Sequence, residues 1–241
     1  PIITNGARQM TNPFLKLKDR EAWGPGSFEM ALPLVEAVGI TAGMRVLEVG
    51  GGSGQIAVTL AKHWNVSVFT LEPWFGGEQI QARAKAAGVF DRVIALKNRA
   101  QNLRFADATF DAVISVGSFE MIAEDRAAAL AQMVRVAKPG ARVGIAEPMC
   151  LPAPIPEAVR ELDRVRFPDG RGFEFHFRSV DWNAELFEHS GLNVIERRYF
   201  SEAAKWWREY SERVSEAERA LIQADSGGWA TLGIVVGEKR G

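Results

Sequence analysis

The stretch that decides the fold is Arg45-Val46-Leu47-Glu48-Val49-Gly50-Gly51-Gly52-Ser53-Gly54. It predicts a short buried strand over 45–49, a glycine-rich turn, and a helix that begins at about Gln55. The glycines allow left-handed backbone angles and close approach to a ligand, and the helix directs free N–H groups towards that ligand. This stretch therefore predicts a ligand site at the end of a strand.

The turn differs from the glycine fingerprint of dinucleotide-binding proteins, because Gln55 stands where the last glycine is needed. A diphosphate needs several N–H donors and no nearby negative charge, whereas Glu48 lies immediately before this turn. A ligand that combines an ammonium group with a nucleoside can use such an acid. A nicotinamide-dependent oxidoreductase is therefore a poor fit.

Composition narrows the class of protein. The 241 residues suffice for one sizeable domain with a cap, and the net charge of −1 gives no electrostatic reason to expect a nucleic-acid partner. No apolar run approaches the roughly 20 residues of a membrane span. Cys150 is the only cysteine, which predicts a reducing, cytoplasmic environment, and three scattered histidines argue against a metal site.

Strand-like and helix-like segments alternate along the chain, which predicts an α/β fold with a parallel sheet and helices on both faces. The second predicted strand, 66–71, ends at Glu72, whose carboxylate can accept hydrogen bonds from both ribose hydroxyls. The alternative for Glu72 is a solvated loop acid. Pro73 and Trp74 follow, and the aromatic ring is placed to contact a base such as adenine.

Four motifs occur in order: the turn from Glu48 to Gly54, Glu72, the phrase Phe110-Asp111-Ala112-Val113, and Lys138-Pro139-Gly140 before the predicted strand 142–147. Together they resemble the class I S-adenosylmethionine-dependent methyltransferases, strongly over residues 41–149 and more weakly over 180–238. The resemblance implies a Rossmann-like, seven-stranded, mostly parallel sheet with an antiparallel last strand.

The same resemblance implies S-adenosyl-L-methionine as cofactor and S-adenosyl-L-homocysteine as product. It also implies one methyltransferase domain over 1–241, with an N-terminal lid over 1–30 and small helical cap insertions over 150–180 and 201–228. The residues expected to bind the cofactor are Glu48, Gly50, Gly51, Gly52, Gly54, Glu72, Pro73, Trp74, Arg99, Ala100, Gln101, Val116 and Gly117.

Arg99 departs from the family, which often has an aspartate here that binds the adenine amino group. The backbone N–H of Ala100 remains available to the ring, and Arg99 either stacks or faces solvent.

Glu120 is the foremost catalytic candidate. The run from Ser115 to Glu120 resembles cyclopropane fatty acid synthases, in which the matching glutamate helps to hold a bicarbonate. The alternative is an acid that stabilises a helix N-terminus. Met121 stands where many relatives have histidine. His176 is a second candidate, as a general base, against a packed or surface histidine.

Five aromatic residues are candidates for the acceptor site: Trp23, Phe28, Trp206, Trp207 and Tyr210. For each, the alternative is ordinary packing, and Trp206 and Trp207, being adjacent, cannot both face one core.

The predicted function is methyl transfer to a small-molecule amine, hydroxyl or thiol under an aromatic-rich cap. The C-terminal part is also similar to sarcosine and dimethylglycine N-methyltransferases. Two alternatives stay open: a cyclopropane-synthase-like lipid-modifying enzyme, and a cofactor-binding module without catalysis. A homodimer is also left open.

Overall fold

The computed structural model describes residues 12–16, 24–74 and 77–241. Within them, seven strands form one sheet in the order β3-β2-β1-β4-β5-β7-β6. The strands are β1 Arg45–Val49, β2 Ser67–Leu71, β3 Val93–Leu96, β4 Phe110–Val116, β5 Ala137–Cys150, β6 Leu192–Tyr199 and β7 Ala230–Lys239.

The first five strands in chain order pair in parallel, and β7 pairs antiparallel with both β5 and β6. The prediction of a mostly parallel, Rossmann-like sheet with an antiparallel last strand is confirmed. The chain passes from the outer strand β3 back to β4, which lies on the other side of β1. Ligands of open α/β sheets bind at such a reversal, beyond the carboxyl ends of the strands.

Helices cover both faces of the sheet. They are α1 Ser27–Val38, α2 Gln55–Trp64, α3 Glu78–Ala86, α4 Arg126–Val136, α5 Glu157–Arg166, α6 Phe173–His176, α7 Val180–His189, α8 Ala203–Ser211 and α9 Glu216–Asp225. Because successive strand residues face opposite sides, Val46 joins the core under α1 and α2, and Leu47 joins the core under α4 and α7.

β5 is longer than the sequence predicted, because it begins at Ala137 and includes the expected turn. Phe110 pairs with Ala137 and Ala112 with Arg142, so four residues of β5 oppose the single residue Asp111. The predicted turn is therefore present as a bulge inside β5, where Gly140 has a φ of 75°.

The C-terminal third differs from what its sequence pattern predicts at two places. The charged sequence over 201–225 predicts one helix, but the structure has two, α8 and α9, because the Ser215 hydroxyl caps the second by accepting the Glu218 N–H at 3.3 Å. The alternating aromatic residues over 173–178 predict a strand or a segment packed on the ligand cleft, but this stretch contains the short helix α6. The Asp163 carboxylate sets its start by accepting the Phe173 N–H at 2.8 Å.

The proposed cap segments lie close to one another. α5 packs against α9 and α6, α8 packs against α9, and α6 contacts the 3₁₀ turn Phe119–Asp125 that follows β4. Of the proposed N-terminal lid, residues 1–11 and 17–23 lie outside the described residues. No helix within the described ranges is both long and apolar enough to cross a membrane.

Candidate active site

The glycine turn that follows β1 is tightly packed on its inner side. Gly50 has a φ of 81° and Gly54 one of 79°, angles that favour glycine. A Cβ on Gly50 would lie 1.8 Å from the Ser118 hydroxyl oxygen, and one on Gly51 would lie 1.9 Å from that of Thr70. Gly52 differs, because a Cβ there would meet nothing within 4 Å. The turn is therefore packed on its inner side and open at its tip.

Glu48 is buried in β1 directly below this turn, with 1% of its surface exposed. Burial raises the pKa of its carboxyl to about 7; the neighbouring Thr70 hydroxyl lowers this pKa, and the negative charge of Glu72 raises it. Its Oε2 atom accepts no hydrogen bond from the part of the chain that the structure describes. An acid in this state favours a positively charged or hydrogen-bond-donating ligand.

Glu72 ties the end of β2 to the glycine turn. Its Oε2 accepts the backbone N–H of Gly52 at 2.9 Å, and its Oε1 accepts that of Trp74 at 2.9 Å. The carboxylate is 5% exposed, so it is not the solvated loop acid that the sequence left open. Each oxygen keeps a lone pair, so that the carboxylate can still accept ligand hydroxyls.

Trp74, which follows Pro73, projects from the rim of the turn with 70% of its surface exposed. The Arg99 guanidinium lies 5.5 Å from the centre of its ring, within cation–π distance. Arg99 is itself exposed, so it contacts the Trp74 ring and also faces solvent. The two residues form an exposed pair beside Glu72.

The other predicted cofactor residues follow β3 and end β4. Ala100 is buried, and the Gln101 side-chain amide donates to Asp125 at 3.2 Å. Val116 is buried, and Gly117 has a φ of 58°. A Cβ on Gly117 would lie 3.3 Å from the Ser27 hydroxyl oxygen, so the start of α1 reaches the end of β4.

Glu120 lies in the turn after β4, beside Glu147 of β5. Each carboxyl shifts the pKa of the other, and both are nearly inaccessible, at 5% and 1% exposure. Arg126, at the start of α4, donates to the backbone oxygen of Glu120 at 2.8 Å and to that of His176. The His176 ring nitrogen Nδ1 lies 3.2 Å from the Glu120 backbone oxygen. The structure thus brings both predicted catalytic residues together.

Burial dominates the titration of this cluster. It raises the pKa of Glu120 to about 7 and raises that of Glu147 well above its usual range. Burial also lowers the pKa of His176, against a hydrogen bond to the Glu120 backbone that raises it. His176 is therefore mostly neutral at pH 7, and Glu120 is near its midpoint.

A family model described as a methyltransferase domain matches residues 46–140, which include the glycine turn, Glu72 and Glu120. Over residues 46–140 the chain is similar to a methyltransferase domain. The resemblance read from the sequence motifs is confirmed, and S-adenosylmethionine is the cofactor of this family.

Several curated proteins are similar to this chain over part of its length. The O-methyltransferase resE of Aspergillus sclerotiorum is 33% identical over 162 residues, which cover 65% of this chain and 57% of that protein. The chain spans about half the length of the curated relatives it matches.

Two solved structures share the fold at low identity. The geranyl diphosphate C-methyltransferase of Streptomyces coelicolor, in complex with S-adenosyl-L-homocysteine, has a TM-score of 0.73 at 16% identity over 88% of this chain and 77% of that one. A putative sarcosine dimethylglycine methyltransferase from Galdieria sulphuraria has a TM-score of 0.72 at 16% identity over 88% and 84%.

The glycine turn and the two acids beside it offer hydrogen-bond acceptors that suit S-adenosylmethionine. The ligand carries an amino-acid ammonium, a sulfonium and a ribose, and the site offers the buried Glu48 oxygen, the open tip at Gly52 and the Glu72 carboxylate. The positive groups of the ligand offset the unpaired acid. These residues therefore fit the cofactor.

Two of the aromatic acceptor candidates have packing partners. Trp207 is buried against Phe173 and donates its ring N–H to the Thr231 backbone oxygen at 3.3 Å. Tyr210 packs against Trp207. These contacts favour the packing interpretation for both residues.

Phe28 and Trp206 lie nearer the N-terminal segment. Phe28 is buried in the core that includes α1, and Trp206 lies beside Phe200, where a Cβ on Gly26 would be 2.9 Å from its ring. Phe28 is thus core packing in this structure, and Trp206 is half-buried beside the start of α1. Trp23 lies outside the described residues.

The sequence motifs did not indicate two residues of the cluster, Glu147 and Arg126. One signal was available for Glu147: it ends the predicted strand 142–147, and neighbouring parallel strands end at one edge of a sheet. Arg126 gave no signal, because an arginine in the first turn of an amphipathic helix ordinarily faces solvent.

Proposed function

We propose that the protein transfers a methyl group from S-adenosylmethionine to a hydroxyl oxygen of a small-molecule acceptor. The observation that carries this proposal is the Glu120 carboxyl, which is buried at the end of β4 and has a pKa raised to about 7. A carboxyl in that state can take a proton from a hydroxyl at neutral pH.

The cofactor half of the proposal rests on the turn and the two acids beside it. Glu48 would face the positive part of the ligand, Glu72 would accept the ribose hydroxyls, and Trp74 would contact the adenine. When bound, S-adenosylmethionine supplies an electrophilic methyl group. The chain's own task is to align the acceptor and exclude water.

The acceptor atom is not fixed by likeness, because the names of similar proteins include an O-, a C- and a sarcosine dimethylglycine methyltransferase. The Glu120 carboxyl, whose pKa is raised to about 7, distinguishes these acceptor atoms. A neutral amine can attack a methyl group before it loses a proton, whereas a hydroxyl benefits from a base during the attack. Glu120 therefore favours oxygen.

The acceptor site would lie between the end of β4 and the segments 150–180 and 201–228. α6 already lies against residues 119–125 and positions His176 at Glu120. Buried Phe173 and Phe177 line the inner side of this segment. Such a cover suits a compact, apolar or aromatic acceptor.

Calorimetric titration with S-adenosylmethionine and S-adenosylhomocysteine tests the cofactor half. We expect micromolar binding in the parent and at least about 100-fold weaker binding in Glu72→Ala, because two charge-assisted hydrogen bonds that shape the turn are lost. Glu188→Ala, which removes an exposed acid on α7, is the control and should bind as the parent does. Absence of binding in the parent would remove the cofactor half.

Transfer of a labelled methyl group to a panel of phenols, alcohols, amines and thiols tests the acceptor half. We expect O-methylated products, and a decrease in transfer of about 10²–10⁴-fold in Glu120→Gln. Turnover confined to amines, with Glu120→Gln as active as the parent, would refute the assignment of oxygen and of the base.

A further inference from the structure

Glu120 and Glu147 meet across two neighbouring strands. Val116, the last residue of β4, pairs with Ala146. Glu147 therefore lies beside the point where the chain leaves β4 and turns towards Glu120. Each carboxyl keeps one buried oxygen, Oε2, that no described residue supplies with a donor. Two carboxylates can only accept hydrogen bonds, whereas one proton makes one of them a donor to the other.

The charge of the cluster also favours one proton on the two carboxyl groups. Arg126 is 2% exposed and is permanently protonated, so it supplies the buried positive charge of the cluster. Two ionised carboxylates would leave one net negative charge buried, and two protonated carboxyls would leave one net positive charge. One proton on the pair makes the cluster neutral, which is the least costly state in a buried site.

We propose that Glu120 and Glu147 hold one proton between them in the active state, with Glu147 as the positioning residue that donates to the Glu120 carboxylate. This inference deepens the proposed function and rests on it for the role of the pair. The cluster would thus provide one base in an environment with no net charge.

The step balances without a further reactant. The acceptor oxygen forms a bond to the methyl carbon while the carbon–sulfur bond breaks, and the bonding pair stays on sulfur. The hydroxyl proton moves to the Glu120 carboxylate, so that the pair ends with two protons. The sulfonium charge is lost as the cluster gains one positive charge, which keeps the total charge of the site constant.

Other titratable and charged groups surround the pair. His176 of α6 faces the Glu120 backbone, and Arg178 and Cys150 lie near Arg126. Burial raises the pKa of the Cys150 thiol, so this thiol stays protonated and contributes no charge near pH 8. Titration near neutral pH is therefore shared among the two carboxyls and His176.

Infrared difference spectroscopy of the free protein at pH 8 tests the pairing without cofactor or acceptor. All variants carry Glu48→Gln, which removes the other buried carboxyl whose pKa is about 7. We expect a protonated-carboxyl band that disappears in Glu120→Gln and equally in Glu147→Gln, because either carboxyl alone ionises beside Arg126. Glu124→Gln, in the same turn but exposed, should retain the band.

The outcomes are distinct. A band that survives in one of the two single variants would show a proton owned by one carboxyl, and absence of the band in the starting protein would show two ionised groups; each overturns the shared proton. If the variants do not fold, titration of glutamate labelled with carbon-13 in the starting protein decides. One pair must ionise in two separated steps.

The pH dependence of kcat/KM with an acceptor hydroxyl tests the role of Glu147. We expect Glu147→Leu, which removes the donor to Glu120, to move the acid limb upwards by about one pH unit. Glu147→Gln, which keeps a neutral donor, should move it less. Identical acid limbs in the parent and Glu147→Leu would overturn the positioning role. A positive infrared result with no methyl transfer to any hydroxyl would instead count against the proposed function alone.

Discussion

The glycine turn and the Glu120–Glu147 pair are two buried acidic sites at the same edge of the sheet, and they handle charge in opposite ways. Glu48, in β1 below the turn, has no cationic partner among the described residues, and Glu72 adds a second negative charge. The Glu120–Glu147 pair has Arg126 within its own cluster. The first site leaves its charge to be balanced by a positive ligand, whereas the second balances its own and is left to move a proton.

The two sites are joined through Ser118. Its hydroxyl donates to the Val49 backbone oxygen at 2.8 Å and occupies the space that a side chain on Gly50 would need. Glu120 follows two residues later, so a shift of the glycine turn is transmitted to the carboxyl pair.

Gly50→Ala should break both sites and gives the largest expected effect. The alanine Cβ would meet Ser118 at a φ of 81°, which combines a clash with backbone strain of about 1–2 kcal/mol. We expect cofactor binding to weaken by about 100-fold or more, and the shared-proton band of the carboxyl pair to change.

Gly54→Ala separates the sites, because its Cβ would meet Ile80 of α3 rather than Ser118, at 2.7 Å. It should weaken cofactor binding and leave the band intact. Gly88→Ala is the control for strain alone, with a φ of 72° and nothing within 4 Å of its Cβ. An unchanged band in Gly50→Ala would show that the sites are independent.

The second-largest expected effect is the contribution of Glu48 to the pH dependence of the free energy of unfolding. Its pKa rises from 4.5 to about 7 on folding, so its contribution to stability is complete below about pH 4.5 and is lost as the pH rises through about 7. The free energy of unfolding should therefore fall over this interval, with Glu48 responsible for up to about 3 kcal/mol.

Urea denaturation at pH 5 and pH 8 measures this change. Glu48→Gln should reduce the fall, and the part that remains belongs to Glu120 and Glu147, whose pKa values are also raised. Glu188→Gln, on the surface, should behave as the parent does. If Glu48→Gln loses as much stability as the parent, the carboxyl is not the source.

Trp74→Ala gives the smallest expected effect. The ring is 70% exposed and contacts Arg99, and a cation–π contact at an exposed site contributes about 0.5–1 kcal/mol. We expect two- to fivefold weaker binding of S-adenosylhomocysteine by calorimetry, with Phe90→Ala as the exposed aromatic control. Equal affinity in Trp74→Ala and the parent would exclude this ring from the cofactor site.

Local chemistry determined what the sequence could predict. The strand, the turn and the acid around Glu48 lie within ten residues of the chain, and glycine angles and strand alternation are local properties. The fold class could therefore be inferred from them, and a cofactor site could be proposed. Predicted boundaries failed where a distant group intervened: Asp163 starts α6 ten residues away, and Asp111 of β4 faces the bulge in β5.

Only the tertiary structure decided the state of the second site. Glu120, Arg126, Glu147 and His176 come from four elements spread over 57 residues of the chain, and each is unremarkable by itself. Their burial together removes water from two carboxyls and a guanidinium, and that loss of solvation fixes the proton count. Sequence thus determined the glycine turn and the acids of the proposed cofactor site, and packing determined the charge of the groups beside it.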